Sequence, residues 1–292
     1  MTLRKDIWRI GAVRTSPNEL LRSGLQGREI AWLADTAPLS FLADPFGLWR
    51  NGRLYVFAEA YNYRDRHGTI DVLMFDAELR LLERRSVLKE PWHLSYPFIV
   101  EADGETYMLP EAFKSGGLTL YRAAEFPYRW EPVKKITLDQ VPIDATPVFH
   151  NGLWWLFYTP ATTREAKVSA LHVAFAKHLT GPWMPHPQNP VRFDASSSRP
   201  GGTPFVRDGA LVIPMQDCRR TYGGAIRPLT ITTLTPREFA AAAGDVITAP
   251  GADGFHTVSA AGDVTLIDVK RFHLSAATLA LDVRHVLRKA FR

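Results

Sequence analysis

Short apolar runs and polar turns alternate along the whole chain, and one arrangement of them recurs. Each unit starts at a small or polar residue beside a proline or hydrophobic pair, runs on as an apolar stretch, turns at a glycine and returns apolar. The first copy reads Ala43-Asp44-Pro45-Phe46, the turn Asn51-Gly52, then Arg53 to Glu59. The second is Ser95-Tyr96-Pro97-Phe98, Asp103-Gly104 and Glu105 to Glu111, and the third Asp144-Ala145-Thr146-Pro147, Asn151-Gly152 and Leu153 to Thr159. The fourth is Gly202-Thr203-Pro204-Phe205, Asp208-Gly209 and Ala210 to Asp217. A weaker fifth is His256-Thr257-Val258, Ala261-Gly262 and Asp263 to Asp268.

Asn-Gly and Asp-Gly between β-branched and aromatic runs signal tight hairpins, because type I′ turns need positive φ. A further strand follows each of the first four hairpins: Thr69 to Phe75, Leu118 to Arg122, Ser169 to Ala176 and Ile226 to Leu234. The turn glycines fall at intervals of 52, 48, 57 and 53 residues. Repeats of about 50 residues with three or four strands each are propeller blades. The pattern therefore predicts an all-β, five-bladed β-propeller over residues 1–274, with Ile7 to Val13 closing the ring in the last blade. Two helices are expected. Thr235-Pro236 before Arg237 to Ala243, stopped by Gly244, has the form of a cap and a first-turn proline. Residues 275–292 place Leu279, Val283, Val286, Leu287 and Phe291 at helical spacing, with Arg284, Arg288, Lys289 and Arg292 opposite. That basic amphipathic helix either docks on the propeller or lies on a membrane surface.

In a propeller the first strand of each blade lines the axis, so matching positions converge. Eight residues before each turn glycine stand Asp44, Tyr96, Asp144, Gly201 and Gly254. Two aspartates facing each other across a funnel fit glycosidic chemistry, where one carboxyl moves a proton and the other serves as nucleophile or activates water. The alternative is that both accept backbone N–H bonds before turns. A second ring of acids ends the second strands: Glu59, Glu111 and Asp217, with Thr159 in blade 3. Unpaired carboxylates after apolar runs are costly, so partners are expected, with Arg199, Arg219 and Arg220 as candidates. The polar fourth copy, with Arg199, Gln216, Asp217, Arg219 and Tyr222, reads as a specificity wall for an anionic or hydroxyl-rich substrate. His93 and His256 can donate to sugar hydroxyls or act structurally, and Trp49 and Trp92 are candidates for sugar stacking.

Composition narrows the remaining classes. The 292 residues are 46% hydrophobic and 22% charged, as expected of a globular chain. No apolar stretch approaches the roughly 18 residues of a membrane span. One cysteine, Cys218, excludes an internal disulfide, and no spacing suggests a metal site or cofactor. No signal peptide is evident, so the cytoplasm is the default compartment. The net charge of +5 favours anionic partners, but no nucleic-acid-binding signature accompanies it.

Two resemblances rest on these residues. Ala43-Asp44-Pro45, Ile143-Asp144 and Gly181-Pro182-Trp183 resemble the five-bladed furanosidase-type glycoside hydrolases: arabinanases, β-xylosidases and invertases. A closer resemblance is to the N-terminal propeller domain of plant glucosamine inositolphosphorylceramide transferase and its standalone bacterial relatives. It rests on Phe41 to Phe46, His93 to Phe98, Tyr107 to Glu111, and Gln216-Asp217-Cys218 with Tyr222-Gly223, and it covers about Trp8 to Arg271. The hydrolase resemblance implies Asp44 as base or nucleophile and Asp144 as the residue that tunes a catalytic acid. Those enzymes carry the acid on blade 4, where this chain has Arg199-Pro200-Gly201 and no glutamate until Glu238. Glu111 or Glu59 then supplies the proton, with Glu111 preferred, or the reaction is not hydrolysis. In the plant protein, glycosyl transfer resembles the job of a separate C-terminal domain that this sequence lacks.

The expectation is a carbohydrate-active enzyme that cleaves or transfers a glycosyl unit in glycan or glycolipid assembly. Asp44, Asp144 and Glu111 would be catalytic, and Glu59, His93, Tyr96, Arg199, Gln216, Asp217, Arg219, Tyr222 and His256 would bind substrate. The alternative is a non-catalytic sugar- or glycolipid-binding propeller that scaffolds other enzymes.

Overall fold

The computed structural model describes residues 4–274 and 278. Five antiparallel sheets make the five blades of a β-propeller. Blade 1 is Ser40–Arg50, Arg53–Asn62, His67–Phe75 and Leu81–Leu88; blade 2 is Ser95–Ala102, Glu105–Glu111, Leu118–Glu125 and Arg129–Ile136. Blade 3 is Pro142–His150, Leu153–Pro160, Ala170–Ala176 and the short Met184–Pro185, with Arg192–Phe193 pairing the other end of the third strand. In blade 4 the inner strand is split, Arg199–Pro200 and Phe205–Arg207 both pairing Ala210–Asp217, followed by Ala225–Leu234 and Phe239–Ala243. Blade 5 joins Gly254–Ala261 and Val264–His273 to Lys5–Val13 and Ala31–Trp32, so the N-terminal strand closes the ring.

The turn chemistry explains the hairpins. Asn51, Asp103, Asn151 and Asp208 hold φ of 50–52°, and the glycine after each is also left-handed, the geometry of a type I′ turn. The second strands read as unbroken apolar runs because they are covered on both faces. Phe57 of blade 1 packs with Met108, Tyr121 and Trp130 of blade 2, and Phe157 of blade 3 with Ile213 and Leu229 of blade 4. At Gly202 the backbones of blades 4 and 5 approach closely. This glycine bridges Val258 of blade 5, its φ is 145°, and a methyl group there would lie 1.8 Å from the Val258 carbonyl oxygen.

The helix expected over Arg237 to Ala243 is instead the outer strand of blade 4, Phe239–Ala243, paired with Leu229–Leu234. The cap hydrogen bonds do form, since Thr235 Oγ1 accepts the Glu238 amide at 2.9 Å and the Arg237 amide at 3.2 Å. So short an alanine run cannot nucleate a helix alone, and the open sheet edge satisfies its backbone. A helix the hydrophobic pattern did not single out spans Pro17–Ser23; Ser16 caps it by accepting the Glu19 amide, and Pro17 occupies its first turn. The expected helix over 275–292 lies outside the described residues. Among the described residues no helix is long and apolar enough to cross a membrane.

Candidate active site

The axial residues are placed by a repeated break in the inner ladders. Register slips between Ala43 and Phe46, Ser95 and Phe98, Ile143 and Thr146, and Phe255 and Val258. Each slip is a bulge, which bends the strand and re-aims a side chain. Asp44, Tyr96 and Asp144 take left-handed φ of 51°, 44° and 49° in the first three bulges, a conformation retained in folded proteins where the surroundings demand it. In blade 5 the bulge holds His256-Thr257. Gly254, expected at the axis, stays in the ladder opposite Lys270, and His256 takes its place.

Asp44 and Asp144 sit in different surroundings. Asp44 accepts the Tyr96 amide at 3.2 Å and the Thr257 hydroxyl at 3.1 Å, and His256 Nε2 lies 3.5 Å away. Burial pushes its carboxyl up to about 7, with the charges of Asp268 and Asp144 adding to the rise and His256 opposing it. Asp144 is ion-paired: Arg199 Nε donates to Oδ2 at 2.7 Å, and Gln216 Nε2 donates to the same oxygen at 2.9 Å. Arg199 also donates to Lys167 O and lies 4.8 Å from the Tyr222 ring. Arg199 and Gln216 thus hold Asp144 directly, and Tyr222 packs on Arg199.

His256 is held between two carboxylates. Its Nδ1 is 2.7 Å from Asp268 Oδ1, Trp8 stacks on its ring at 3.7 Å, and Tyr222 meets it edge-on. Burial works against its charge, but Asp268 and Asp44 together hold its pKa above the ordinary value. Asp44, His256 and Asp268 are close enough to ligate a cation. However, Asp268 already accepts the amides of Asp44, His256 and Thr257 as well as the imidazole. The trio is already held together by the hydrogen bonds to Asp268 and the ion pair between His256 and Asp44, which a metal would have to displace.

The second ring differs from expectation. Counting seven residues from each turn glycine gives Glu59, Glu111, Thr159 and Gln216, so the blade 4 member is Gln216 and not Asp217. Asp217 is bound to Arg219 at 2.7 Å and Arg227 at 3.0 Å. Asp217 and Arg219 line a cavity of about 700 Å³ with Arg4 and Phe272, whose wall includes none of Asp44, Glu59, Glu111 and Asp144. Among the described residues, no arginine pairs with Glu59 or Glu111. Glu59 has His93 Nε2 at 3.3 Å, and Glu111 accepts the Ser95 hydroxyl at 2.6 Å and the Phe113 amide at 2.7 Å. Burial raises the pKa of both. Glu59 is also raised by Asp44, Glu111, Asp268 and Asp144, so these five acids form one electrostatic cluster.

Tyr96 fills the axis itself. It is fully buried, bonds Thr146 Oγ1 at 2.9 Å and accepts the Gly202 amide at 2.8 Å, reaching from blade 2 to blade 4. Trp49 and Trp92 are both partly buried against the core. Trp49 donates to Ala261 O, and Trp92 packs in the core between blades 1 and 2.

Residues 31–262 match the family described as glucosamine inositolphosphorylceramide transferase 1, N-terminal. The chain belongs to that family. The glucosamine inositolphosphorylceramide transferase 1 of Oryza sativa subsp. japonica is 37% identical over 206 residues, covering 69% of this chain and 28% of the rice protein. That of Arabidopsis thaliana is 36% identical over 69% of this chain and 27% of its own length. The match therefore spans less than a third of these relatives. Among solved structures, a family 117 glycoside hydrolase from Zobellia galactanivorans superimposes with TM-score 0.58 at 14% identity, covering 93% of this chain and 92% of the hydrolase. The GH62 α-L-arabinofuranosidase domain of Coprinopsis cinerea gives 0.57 at 9% identity, over 81% and 92% of the two chains. These likenesses establish the shared propeller fold alone.

In this family member, Trp8, Asp268 and Lys270 complete the site from outside the matched stretch. In the sequence Trp8 and Lys270 carry no motif, and Asp268 stands only at the end of a strand. Lys270 is fully buried, with its ammonium 3.3 Å from Asp6 and from Thr221 Oγ1, and it donates to the Tyr222 carbonyl, fixing the loop that carries Tyr222. Only Lys270's position in the last blade, opposite Gly254, could have drawn attention to it.

Proposed function

We propose that this chain is a carbohydrate-active domain whose funnel takes the sugar-bearing headgroup of a glycolipid and cleaves or transfers a glycosyl unit. One observation carries the reading: two aspartates at matching bulges are set apart by their surroundings, burial raising Asp44 to about 7 while Arg199 holds Asp144 in an ion pair. Carboxyls so separated divide the work of base and fixed charge. Asp44 then acts as base or nucleophile, Asp144 tunes the cluster, and Glu59 or Glu111 gives the proton. The relatives are named for glucosamine and inositolphosphorylceramide, which suggests an aminosugar and a phosphoinositol lipid as substrate class.

A second reading is a headgroup-binding domain without turnover. The burial of the funnel carboxylates and the filling of the axis by Tyr96 favour it. The two are separated by offering wild type and Asp44→Asn a panel of aryl glycosides and nucleotide-sugar donors, the latter with inositolphosphorylceramide in detergent. The enzyme reading expects product from wild type and a loss of about 10²-fold or more in the variant. Binding of the lipid headgroup by both proteins, with no product from either, supports the second reading and overturns the first.

A further inference from the structure

The cavity of about 700 Å³ that Asp217 lines takes its wall from blade 4, with Asp217 and Ala225, and from blade 5, with Gly254 and Phe272. Arg219, Arg220, Thr221 and Gly224 of one loop complete it. Within the same loop Tyr222 turns its ring to Arg199 and His256, and a methyl group on Gly223 would lie 2.7 Å from His256 Cβ. One loop thus stands between this cavity and the funnel. The acids of the wall are already engaged: Asp217 by Arg219 and Arg227, and Asp253 Oδ2 by the Phe272 amide at 2.8 Å. Arg4 and Arg220 are exposed and make no ion pair among the described residues. The Arg4 guanidinium lies 3.7 Å from the centre of the Phe272 ring, a platform that fixes its direction. The Lys270 ammonium is 5.3 Å from the same ring and 3.3 Å from Thr221 Oγ1.

We propose that this cavity binds a phosphate ester of a hydroxyl-rich headgroup, with Arg4 and Arg220 holding the phosphate oxygens. A guanidinium fork matches two oxygens of a phosphate with parallel N–H···O bonds, and a concave wall with unanswered positive charge concentrates anions beside it. Thr221 adds a donor: its oxygen accepts from the Lys270 ammonium, which leaves its own proton to point at a ligand. Asp253 decides between a bare ion and an ester. A carboxylate on the wall repels a naked phosphate, but Asp253 Oδ1 can accept from a hydroxyl carried beside the phosphate, as can the Thr248 hydroxyl on the same wall. The volume also exceeds what a lone ion fills.

Arg219 is not among the holders, because Asp217 engages both its Nε and its Nη2. The anion site stands without the enzymatic reading of the funnel. Where that reading holds, a sugar in the funnel and a phosphate in the cavity lie on the two sides of the loop that carries Tyr222, and this link alone rests on the proposed function.

The test is titration of the protein with inositol monophosphate and, separately, inorganic phosphate at fixed ionic strength, read from the phosphorus NMR signal of the ligand. Saturable binding is expected, tighter for the ester, with the dissociation constant raised at least about tenfold in Arg4→Gln and in Arg220→Gln. Both side chains are exposed, so the variants should fold, and melting curves check that they do. A parallel arm sediments the protein with phosphatidylcholine vesicles that contain or lack phosphatidylinositol. Sedimentation that needs phosphatidylinositol and both arginines assigns the site to a lipid headgroup, and binding of the free ester alone assigns it to a soluble one; each supports the site. No binding in either arm, or unchanged affinity in either folded variant, overturns it, and inorganic phosphate binding as tightly as the ester overturns the headgroup assignment. Because no turnover is measured, these failures stay distinct from failure of the enzymatic reading.

Discussion

Arg199 Nε lies 2.7 Å from Asp144 Oδ2, and both side chains are nearly sealed from solvent. The pair joins the wall of blade 4 to the bulge of blade 3. Removing one partner of such a pair strands a buried charge, so Arg199→Met should cost about 3–5 kcal/mol in urea denaturation. Adding Asp144→Asn to that variant should recover much of the loss. A single variant as stable as wild type would show that Arg199 does not hold Asp144.

Asp44 and His256 should make stability fall as pH rises. Asp44 has a folded pKa of about 7 against an ordinary 3.8, so the folded state holds a proton that the unfolded chain has released. Its contribution is complete below about pH 4 and is lost as pH climbs through about 7. His256 is also raised, so its contribution is present below about pH 6.5 and fades as pH passes its higher folded value. The denaturation midpoint of wild type should therefore drop between pH 5 and 8. Asp44→Asn, in which His256 keeps Asp268, should flatten that drop.

Tyr96→Phe deletes one hydroxyl and leaves the buried Gly202 N–H without its acceptor. A loss of about 1–3 kcal/mol is expected in thermal or urea unfolding. An unchanged midpoint would mean that water or a shifted carbonyl has replaced the phenol.

Arg219 provides the contrast. Its pair with Asp217 is half exposed and lines a cavity that does not include Asp44 or Asp144, and such pairs contribute at most about 1 kcal/mol. Arg219→Ala should therefore leave both stability and any funnel activity close to wild type, as read from one melting curve and one rate.

The propeller was legible because its signals are local. Asn-Gly and Asp-Gly turns and apolar runs between them set the hairpins, and their spacing counted the blades. Asp44, Tyr96 and Asp144 could be aligned because their blades keep the same eight-residue offset. The offset failed in blade 5, where no residue identity reports that the bulge lies two positions later, at His256. Pairings were less legible than positions. Arg199 was named, but toward the wrong acid, since which carboxylate a guanidinium meets depends on how neighbouring blades pack. The Phe239–Ala243 strand was missed for a related reason: its cap is genuine, and only the adjacent sheet edge decides against a helix.

The central claim is that one funnel carboxylate exchanges its proton near neutral pH while its counterpart is held by an arginine. Carbon-13 titration of the aspartate side-chain carboxyls measures this directly, with Asp44→Asn assigning the signal. The Asp44 resonance should show an inflection near 7. An inflection at about 3.9, the range of an exposed aspartate, would contradict the claim.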